Sequence, residues 1–285
     1  MVFNKVKKYF ELVMFSHTLF SLPFGLVAMF WAAGGLPPLR TFFWILVALA
    51  GARNGANALN RIIDRNIDAK NPRTAERHMP RGAVKMKEAV LIVVICFALL
   101  TLAAFMLNPL CVLLLPLAIF MFFAYSFTKR FTWACHIALG VACGGAPVGA
   151  WIAVTGSIGW PSLVLGVVVT LWVAGFDIIY GTQDVGFDRD EGLFSIPAVF
   201  GIEAALVIST LFHIGVVVLL FYLYYLMHMG WFYLAGLAVI TLLLAAEHLL
   251  VKSTRLNSVK IASYGINQIV SVVFLIFTTL DIFMR

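Results

Sequence analysis

Residues 162–191 read SLVLGVVVTLWVAGFDIIYGTQDVGFDRDE, an apolar run that continues without a break into a strongly acidic segment. Residues 42–70 repeat this order and read FFWILVALAGARNGANALNRIIDRNIDAK. A helix needs roughly 20 mostly apolar residues to cross a bilayer. The two stretches therefore predict two membrane-spanning helices, each of which ends in carboxylates at the membrane boundary.

The composition of the whole chain is that of an integral membrane protein. Of its 285 residues, 62% are hydrophobic and 12% are charged, whereas soluble domains carry about a quarter charged residues. Apolar runs recur along the entire sequence and leave no stretch for a separate soluble domain. We predict an all-α, single-domain membrane protein (residues 1–285) with nine transmembrane helices, at residues 12–33, 41–61, 88–107, 110–127, 133–154, 162–181, 199–227, 231–251 and 262–284.

The distribution of Lys and Arg predicts the orientation of these helices, because positive residues concentrate in cytoplasmic loops. If the spans alternate, only Arg40 and Arg285 lie on the outer side. The N-terminus is then cytoplasmic, the C-terminus is on the opposite side, and the membrane is the inner membrane of the cell. The net charge of +7 reflects this asymmetry and contact with anionic lipid, not nucleic-acid binding. The positive residues assigned to the cytoplasmic side are Lys5, Lys7, Lys8, those from Lys70 to Lys87, Lys129, Arg130, Arg189, Lys252, Arg255 and Lys260.

Both acidic segments have the spacing of one helical face. At about 100° per residue, steps of four residues place Asn60, Asp64 and Asp68 on the same side of a helix. Steps of seven and eleven do the same in the second segment, provided that its helix continues past Gly181. The residues that would share this second face are Asp177, Asp184 and Asp188.

An even number of predicted spans separates the two acidic segments, so both leave the membrane on the same side. The chain therefore reads as two similar four-helix halves followed by a ninth helix, although outside the acidic segments only the hydropathy is shared. The loops at about residues 62–87 and 182–198 are expected to form a cytoplasmic cap. This arrangement would bring the two acidic helix ends together at the interface between the halves.

The acidic segments predict a cation site. Carboxylates gathered in a low-dielectric setting repel one another and need cations. Oxygen ligands without a nearby His or Cys cluster favour Mg²⁺, Mn²⁺ or Ca²⁺ over zinc, and the four cysteines lie in predicted spans without C-x-x-C spacing. Mg²⁺ commonly combines one or two carboxylates with phosphate oxygens and water, which points to a phosphorylated ligand. The alternative is that each acidic segment is an ordinary solvated helix end.

Basic residues near the acidic segments fit a diphosphate ligand, because a departing diphosphate needs cationic partners. Most of the positive residues are expected to set the topology, with Arg73, Arg77 and Lys129 as the exceptions that contact phosphate. A charge within a membrane span normally faces a polar cavity. Three arginines lie within or at the end of the second span: Arg53, Arg61 and Arg65.

In these motifs the sequence resembles the UbiA superfamily of intramembrane prenyltransferases. The resemblance rests on Asn60-x-x-x-Asp64-x-x-x-Asp68 and Asp177-x-x-Tyr180-x-x-x-Asp184-x-x-x-Asp188, in the right order and separation. It extends through residues 73–82 (RTAERHMPRG) and 125–130 (YSFTKR) to the nine-span hydropathy, and so covers essentially the whole chain. The segments 17–25 (HTLFSLPFG) and 188–197 (DRDEGLFSIP) look like the 4-hydroxybenzoate polyprenyltransferase branch, closest to its relatives in the futalosine route to menaquinone.

The resemblance implies an aromatic prenyltransferase that transfers a polyprenyl group from polyprenyl diphosphate to a hydroxylated aromatic acid. The acceptor would be 4-hydroxybenzoate or 1,4-dihydroxy-6-naphthoate, in the biosynthesis of ubiquinone or menaquinone. Two Mg²⁺ ions would be held by Asp64, Asp68, Asp184 and Asp188. The implied catalytic residues are Asp64, Asp184, Lys129, Arg73 and Arg77, and the implied substrate-binding residues are Asn60, Arg53, Tyr125, Ser126, Tyr180 and Asp177.

The sequence gives fewer indications of where the acceptor binds. An aromatic acid needs a cation for its carboxylate, and Arg53 is the candidate because it lies about two helical turns deeper than the first acidic segment. For Tyr264 and Asn267 in the ninth span, an interhelical hydrogen bond is the favoured interpretation and a substrate contact is the alternative. For Glu247 and His248, an interfacial pair is favoured and a proton acceptor is the alternative.

Two other functions stay open at this point. Within the same fold the acceptor can differ, because a fold alone does not determine a function. A membrane transporter is the alternative from another class, since internally repeated bundles with ionisable residues near helix breaks also describe transporters. Transport predicts a continuous polar path to both sides, whereas the predicted outer loops carry almost no polar functional groups.

Overall fold

The computed structural model describes residues 15–251, 259 and 261–284, with the backbone alone for residues 15–21. Within these ranges, every regular element is a helix. Several charges on which the predicted orientation depends lie outside the described residues: Lys5, Lys7, Lys8, Lys252, Arg255, Lys260 and Arg285.

The long helices follow the predicted spans to within a few residues at most ends. They are α1 (Phe15–Ala33), α2 (Leu39–Ile63), α4 (Met86–Leu107), α5 (Pro109–Thr128), α6 (Cys135–Thr155), α7 (Trp160–Gly181), α10 (Ile202–Leu226), α11 (Trp231–Leu250) and α12 (Asn267–Phe283). The short elements are α3 (Arg65–Lys70), a 3₁₀ turn (Thr182–Asp184), α8 (Val185–Asp190), α9 (Ile196–Phe200) and a π-helical segment (Ile261–Ile266) that leads into α12.

Seven helical segments in the described part of the chain are long and apolar enough to cross a membrane. These are α4, α5, α6, α7 with its extension to Asp190, α10, α11, and α12 with the π-helical segment. The helix α2 has sufficient length but contains Arg40, Arg53 and Arg61, and the apolar stretch found within α1 is Leu22–Ala33. The prediction of an all-helical membrane protein is confirmed, whereas the count of nine spans stays a prediction.

The helix α7 lies at the centre of the bundle, where it packs against α6 and α10. At the contact with α6, a Cβ atom on Gly140 would collide with the backbone oxygen of Thr170. A Cβ atom on Gly144 would likewise collide with the backbone oxygen of Gly166. Small residues permit such close approach of membrane helices, and this approach fixes the position of α7 and of the acidic segment at its end.

Both acidic segments bend at an aspartate instead of continuing as one helix. The helix α2 ends at Ile63, and Asp64 adopts φ −89° and ψ 3° before α3 begins. The helix α7 ends at Gly181, and Asp184 adopts φ −103° and ψ 4° before α8 begins. These torsions fall in the bridge region, which many active-site residues occupy. The continuous α-helix on which the second face was conditional is interrupted by the 3₁₀ turn Thr182–Asp184. The torsions depart from α-helical values at Asp184 and not at Gly181, which has φ −64° and ψ −19°.

Candidate active site

The end of the bundle at which Asp64 and Asp184 lie, here called the acidic end, encloses a polar cavity of about 250 Å³. The cavity is lined by side chains from α2, α3, α5, α6, α7 and α8, from the loop after α3, and from the π-helical segment. All thirteen site residues predicted from the sequence lie on its wall, while their individual roles stay predictions. They are Arg53, Asn60, Asp64, Asp68, Arg73, Arg77, Tyr125, Ser126, Lys129, Asp177, Tyr180, Asp184 and Asp188.

The carboxylates of the first acidic segment contact basic side chains. Arg130 Nη2 lies 2.9 Å from Asp64 Oδ1, and the Asn60 amide donates to Asp64 Oδ2 at 2.8 Å. Arg77 Nη1 donates to Asp68 Oδ1 at 2.6 Å, and Arg61 Nη1 lies 3.6 Å from the other oxygen of Asp68.

The carboxylates of the second segment are held from the first half of the chain. Arg73 donates to Asp184 through two nitrogens, from Nε to Oδ1 at 2.9 Å and from Nη2 to Oδ2 at 2.5 Å. The Asn71 amide also donates to Asp184 Oδ1, at 2.9 Å. Lys129 Nζ lies 2.7 Å from Asp188 Oδ1. The loop after α3 and the end of α5 therefore reach across to the segment that follows α7.

Burial and pairing oppose each other in the electrostatics of this site. Burial raises the pKa of the Asp64 carboxyl above its ordinary value, and the nearby Arg130 only partly offsets this effect. For Lys129, burial acts to lower the pKa, but the adjacent carboxylate of Asp188 outweighs burial and the pKa is raised. The pKa of Arg73 is raised by Asp184 in the same way. Both cationic side chains are therefore held in the charged form.

Arg and Lys side chains of the protein offset the expected repulsion between the carboxylates. In the described ranges, no three His, Cys, Asp or Glu side chains converge closely enough to form a ready-made metal cluster. Instead, Asp64, Asp68, Asp184 and Asp188 each lie near an Arg or Lys side chain. The site combines oxygen ligands that can take divalent cations with basic groups that can take phosphate.

The sequence did not predict two residues that line this cavity, His136 and Ser195, or the contact of Arg130 with Asp64. His136 Nδ1 lies 2.7 Å from Asp177 Oδ2, and Ser195 donates to Asp188 Oδ2 at 2.9 Å. Arg130, assigned only to topology, donates to the backbone oxygens of Ser126 and Ile63 as well as to Asp64. Ser195, as an N-cap within a motif segment, and Arg130, beside Lys129, had a local signal, whereas His136 had none.

Four aromatic side chains form one side of the polar cavity, and three of them were not predicted as site residues. Trp172, Phe176 and Tyr180 follow one another at four-residue spacing on α7, and Tyr264 comes from the π-helical segment. An interhelical hydrogen bond was the favoured interpretation of Tyr264, and the structure places this residue on the cavity wall. The spacing on α7 was readable, but apolar residues of a central helix face its neighbours with the same period.

A second, apolar cavity of about 620 Å³ adjoins the polar one. It is lined by α2, α4, α5, α6 and α7, and it shares Arg53, Tyr125, Leu139 and Cys143 with the polar cavity. Arg53 Nη1 donates to the Cys143 sulfur at 3.2 Å, while the buried Arg53 Nε has no hydrogen-bond partner among the described residues. The junction of the two cavities therefore carries a guanidinium with spare donor capacity.

Comparison with known proteins matches residues 21–272 to the model of the UbiA prenyltransferase family. A 4-hydroxybenzoate octaprenyltransferase from Vibrio campbellii is 30% identical over 220 residues, which cover 73% of this chain and 74% of that protein. The match therefore extends over most of both chains.

Solved structures share the fold. The apo structure of a UbiA homolog from Aeropyrum pernix K1 is 31% identical, has a TM-score of 0.85, and is matched over 93% of this chain and 98% of that chain. A UbiA homolog from Archaeoglobus fulgidus, bound to GPP and Mg²⁺, has a TM-score of 0.72 at 19% identity, over 96% of this chain and 99% of that chain. At that identity the second comparison supports the fold alone.

Proposed function

This chain belongs to the UbiA prenyltransferase family and is an aromatic prenyltransferase, and from that premise we propose its substrates and the roles of its residues. The enzyme transfers a polyprenyl group from polyprenyl diphosphate to 4-hydroxybenzoate or 1,4-dihydroxy-6-naphthoate, in ubiquinone or menaquinone biosynthesis. The observation that carries the proposal is that the two cavities adjoin. A charged cavity suited to diphosphate and an apolar cavity suited to a polyprenyl tail share four lining residues.

The donor set of the polar cavity fits Mg²⁺. All four proposed ligands, Asp64, Asp68, Asp184 and Asp188, offer carboxylate oxygens, and each already lies within 3.6 Å of a positively charged group of the protein. Hard cations of this kind prefer oxygen ligands. Two bound Mg²⁺ ions would neutralise charge on the diphosphate and so make it a better leaving group. Asn60 and Asp177 line the same cavity and would assist.

The basic side chains would stabilise the departing diphosphate. Arg73 and Arg77 present guanidinium groups that suit phosphate oxygens, and Lys129 adds a point charge. Tyr125 and Ser126 carry hydroxyl groups on the same wall and would donate hydrogen bonds to the diphosphate. The catalytic role of Asp64 and Asp184 would be to hold Mg²⁺ at the reacting end of the donor. The C–O bond breaks with both electrons on the diphosphate, the ring carbon bonds to the allylic carbon, and the ring proton is released.

The apolar cavity would hold the polyprenyl tail and exclude water. Its wall is dominated by Leu, Ala, Val and Gly side chains of α2 and α4 to α7. Water captures an allylic cation, so ionisation next to an apolar chamber protects it. The four lining residues that the two cavities share belong to α2, α5 and α6.

Arg53 would bind the carboxylate of the acceptor. Its guanidinium lies at the junction of the cavities and contacts a thiol through Nη1, while its buried Nε has no hydrogen-bond partner within the described part of the chain. A buried guanidinium is strongly stabilised by a carboxylate partner. An aromatic acid would supply that partner.

We extend the proposal to the membrane arrangement. The chain would form one transmembrane domain, residues 1–285, with nine spans, counting α1 and α2, in two four-helix halves plus a ninth helix. The acidic end and the cap loops at residues 62–87 and 182–198 would face the cytoplasm from the inner membrane. The N-terminus would lie on the same side and the C-terminus on the other. The similar backbone bends at Asp64 and Asp184 support the relation between the halves.

The test uses purified protein in detergent with labelled polyprenyl diphosphate and either 4-hydroxybenzoate or 1,4-dihydroxy-6-naphthoate. With Mg²⁺, one acid is expected to become prenylated as diphosphate is released, and EDTA should stop the reaction until Mg²⁺ is restored. Diphosphate release with neither acid prenylated would contradict the acceptor assignment. A protein that does not bind the donor at all would contradict the proposed function and favour transport.

A further inference from the structure

The two long sides of the polar cavity differ in chemistry. On the α2, α5 and α6 side, Arg53, Tyr125, Leu139 and Cys143 continue into the apolar cavity. On the α7 side, the lining includes four aromatic rings, none of which reaches the apolar cavity. We call this group the aromatic wall, and its members are Trp172, Phe176, Tyr180 and Tyr264.

The aromatic wall is a continuous row of rings. The ring centroids of Trp172 and Phe176 lie 5.2 Å apart, those of Phe176 and Tyr264 lie 6.5 Å apart, and those of Tyr264 and Tyr180 lie 4.6 Å apart. These separations are those of favourable aromatic pairs. At its charged end, the Arg73 guanidinium lies 4.7 Å from the centre of the Tyr180 ring. The row therefore extends from the proposed diphosphate site into the bundle.

Polar contacts hold the wall in place from behind. The Trp172 indole donates to Asn267 Oδ1 at 2.6 Å, and the Asn267 amide donates to Glu247 Oε1 at 2.8 Å. Asn267 follows Tyr264 by three residues, so this chain of hydrogen bonds ties the two segments of the wall together. Tyr264 itself projects from a π-helical segment, a geometry that is frequent at functional sites.

A wall of this kind serves two needs of the reaction. A flat aromatic acceptor gains contact area and favourable ring–ring geometry against aromatic faces. A developing allylic cation is attracted to the same aromatic faces. These faces also exclude water, and they are weaker nucleophiles than water, so the cation is less often captured. Because the tail of the donor leaves toward the apolar cavity, the opposite side is free for the acceptor.

We propose that the aromatic wall is the acceptor side of the site. The acceptor ring packs against Phe176 and Tyr264, its carboxylate reaches across the polar cavity toward Arg53, and the reacting carbon of the donor lies between that ring and the tail cavity. This proposal rests on the proposed function and specifies how the acceptor is placed. It makes Tyr264 and Phe176 catalytic residues in addition to the charged ones. The aromatic face of Tyr264, and not its hydroxyl group, is the feature that matters.

The experiment compares Tyr264→Leu, Phe176→Leu and Tyr264→Phe with wild type. The matched control is Phe120→Leu, at a ring that is 64% exposed on α5 and lines neither cavity. The measurements are the KM of each substrate, the fraction of donor converted to prenyl alcohol by water, and binding of labelled acceptor acid by equilibrium dialysis. Circular dichroism and size-exclusion profiles in detergent check the fold of each variant.

The leucine variants at positions 264 and 176 are expected to raise the acceptor KM and Kd about tenfold. They should also increase the prenyl alcohol fraction and leave the donor KM unchanged. Tyr264→Phe keeps the ring and should behave like wild type, as should Phe120→Leu. A Tyr264→Leu enzyme with wild-type acceptor Kd and wild-type product partition overturns the proposal, even if its kcat is lower.

The binding measurement separates this proposal from the proposed function. A wild-type protein that prenylates the acid, with binding unaffected in Tyr264→Leu and Phe176→Leu, overturns the aromatic wall alone. A wild-type protein that binds the acid without transferring a prenyl group, with binding weakened in the leucine variants, supports the wall and overturns the proposed reaction.

Discussion

Asp188 and Asp281 are two almost fully enclosed aspartates, 0% and 2% exposed, at opposite ends of the bundle. The carboxylate of Asp188 contacts a side chain, because Lys129 Nζ lies 2.7 Å from Oδ1. The carboxylate of Asp281 instead accepts from the backbone N–H groups of Gly230, at 2.7 Å, and Tyr233, at 3.2 Å. The two carboxylates are therefore equally buried but differ in the kind of partner that they contact.

The partners of Asp281 belong to the first turn of α11 and cannot leave without unwinding that turn. A carboxylate at a helix N-terminus accepts from otherwise unpaired N–H groups and stabilises the helix. The ammonium group of Lys129, in contrast, is at the end of a flexible side chain and would be able to turn toward a phosphate. The same is true of the arginines at Asp64, Asp68 and Asp184. Under the proposed function, the carboxylates at the acidic end would exchange their Lys and Arg partners when diphosphate binds, whereas Asp281 would keep its backbone partners.

The largest effect that would test this contrast is expected from Asp64→Asn and Asp184→Asn. Each variant removes a proposed anionic metal ligand at the reacting end of the donor, so turnover should fall at least about 100-fold. Prenyl transfer at saturating substrate and Mg²⁺ measures the loss. The matched control is Asp190→Asn in α8, because Asp190 is exposed and should leave the rate unchanged.

Both variants should stay folded, because asparagine keeps the shape of the side chain. Size-exclusion profiles and circular dichroism in detergent are expected to match those of wild type. Near-normal turnover in either variant would remove that aspartate from the metal site and would weaken the distinction between the two ends.

A smaller effect is expected from Arg73, which contacts Asp184 through two nitrogens and donates to the Tyr180 hydroxyl. Arg73→Ala removes a stabilising partner of the departing diphosphate and should lower kcat about 100-fold or less. Arg73→Lys keeps the charge but loses the paired geometry and should be intermediate. If Arg73→Ala changes only the melting temperature and not kcat, then Arg73 is a structural partner of Asp184.

The sequence was sufficient for the long helices and for the thirteen predicted residues that line the polar cavity. Apolar runs of membrane length mark the helices, and the spacing of Asn60, Asp64 and Asp68 survives in their shared cavity although α2 ends before Asp64. The basic loop after the first segment was also readable. Its contact with the other segment, from Arg73 to Asp184, depends on tertiary structure and was not.

The remaining parts of the site come from partners that are distant in sequence and have no periodic signature. His136 reaches Asp177 from the start of α6, and Tyr264 enters the cavity because a π-helical segment shifts the register before α12. A helical period calculated from sequence assumes the regular α-helix. The bends at Asp64 and Asp184 break the same assumption at the two positions where the chemistry is proposed to occur.

A selective, moderate effect is expected from Arg53→Met, which retains the apolar part of the side chain and removes the charge. Arg53 lies where the two cavities meet, with a buried Nε that lacks a hydrogen-bond partner among the described residues. The KM of the acceptor acid should rise about tenfold, a change worth roughly 1.4 kcal/mol, and the donor KM should stay close to wild type. Equal increases in both KM values would contradict the assignment of Arg53 to the acceptor carboxylate.

The smallest effect on activity is expected from Asp281→Ala, at the end of the bundle that lacks the proposed site. This variant leaves the buried N–H groups of Gly230 and Tyr233 without their carboxylate partner, so the free energy of unfolding should fall by about 1–3 kcal/mol. The thermal midpoint in detergent measures that loss, and kcat well below the midpoint should stay within about twofold of wild type because the substrate cavities are unchanged. Asp281→Asn retains one acceptor oxygen and should lie between the two proteins in stability. A large loss of kcat in a folded Asp281→Ala protein would mean that the two ends of the bundle are coupled. Asp281 could then not be described as a residue that stabilises the fold without affecting the reaction.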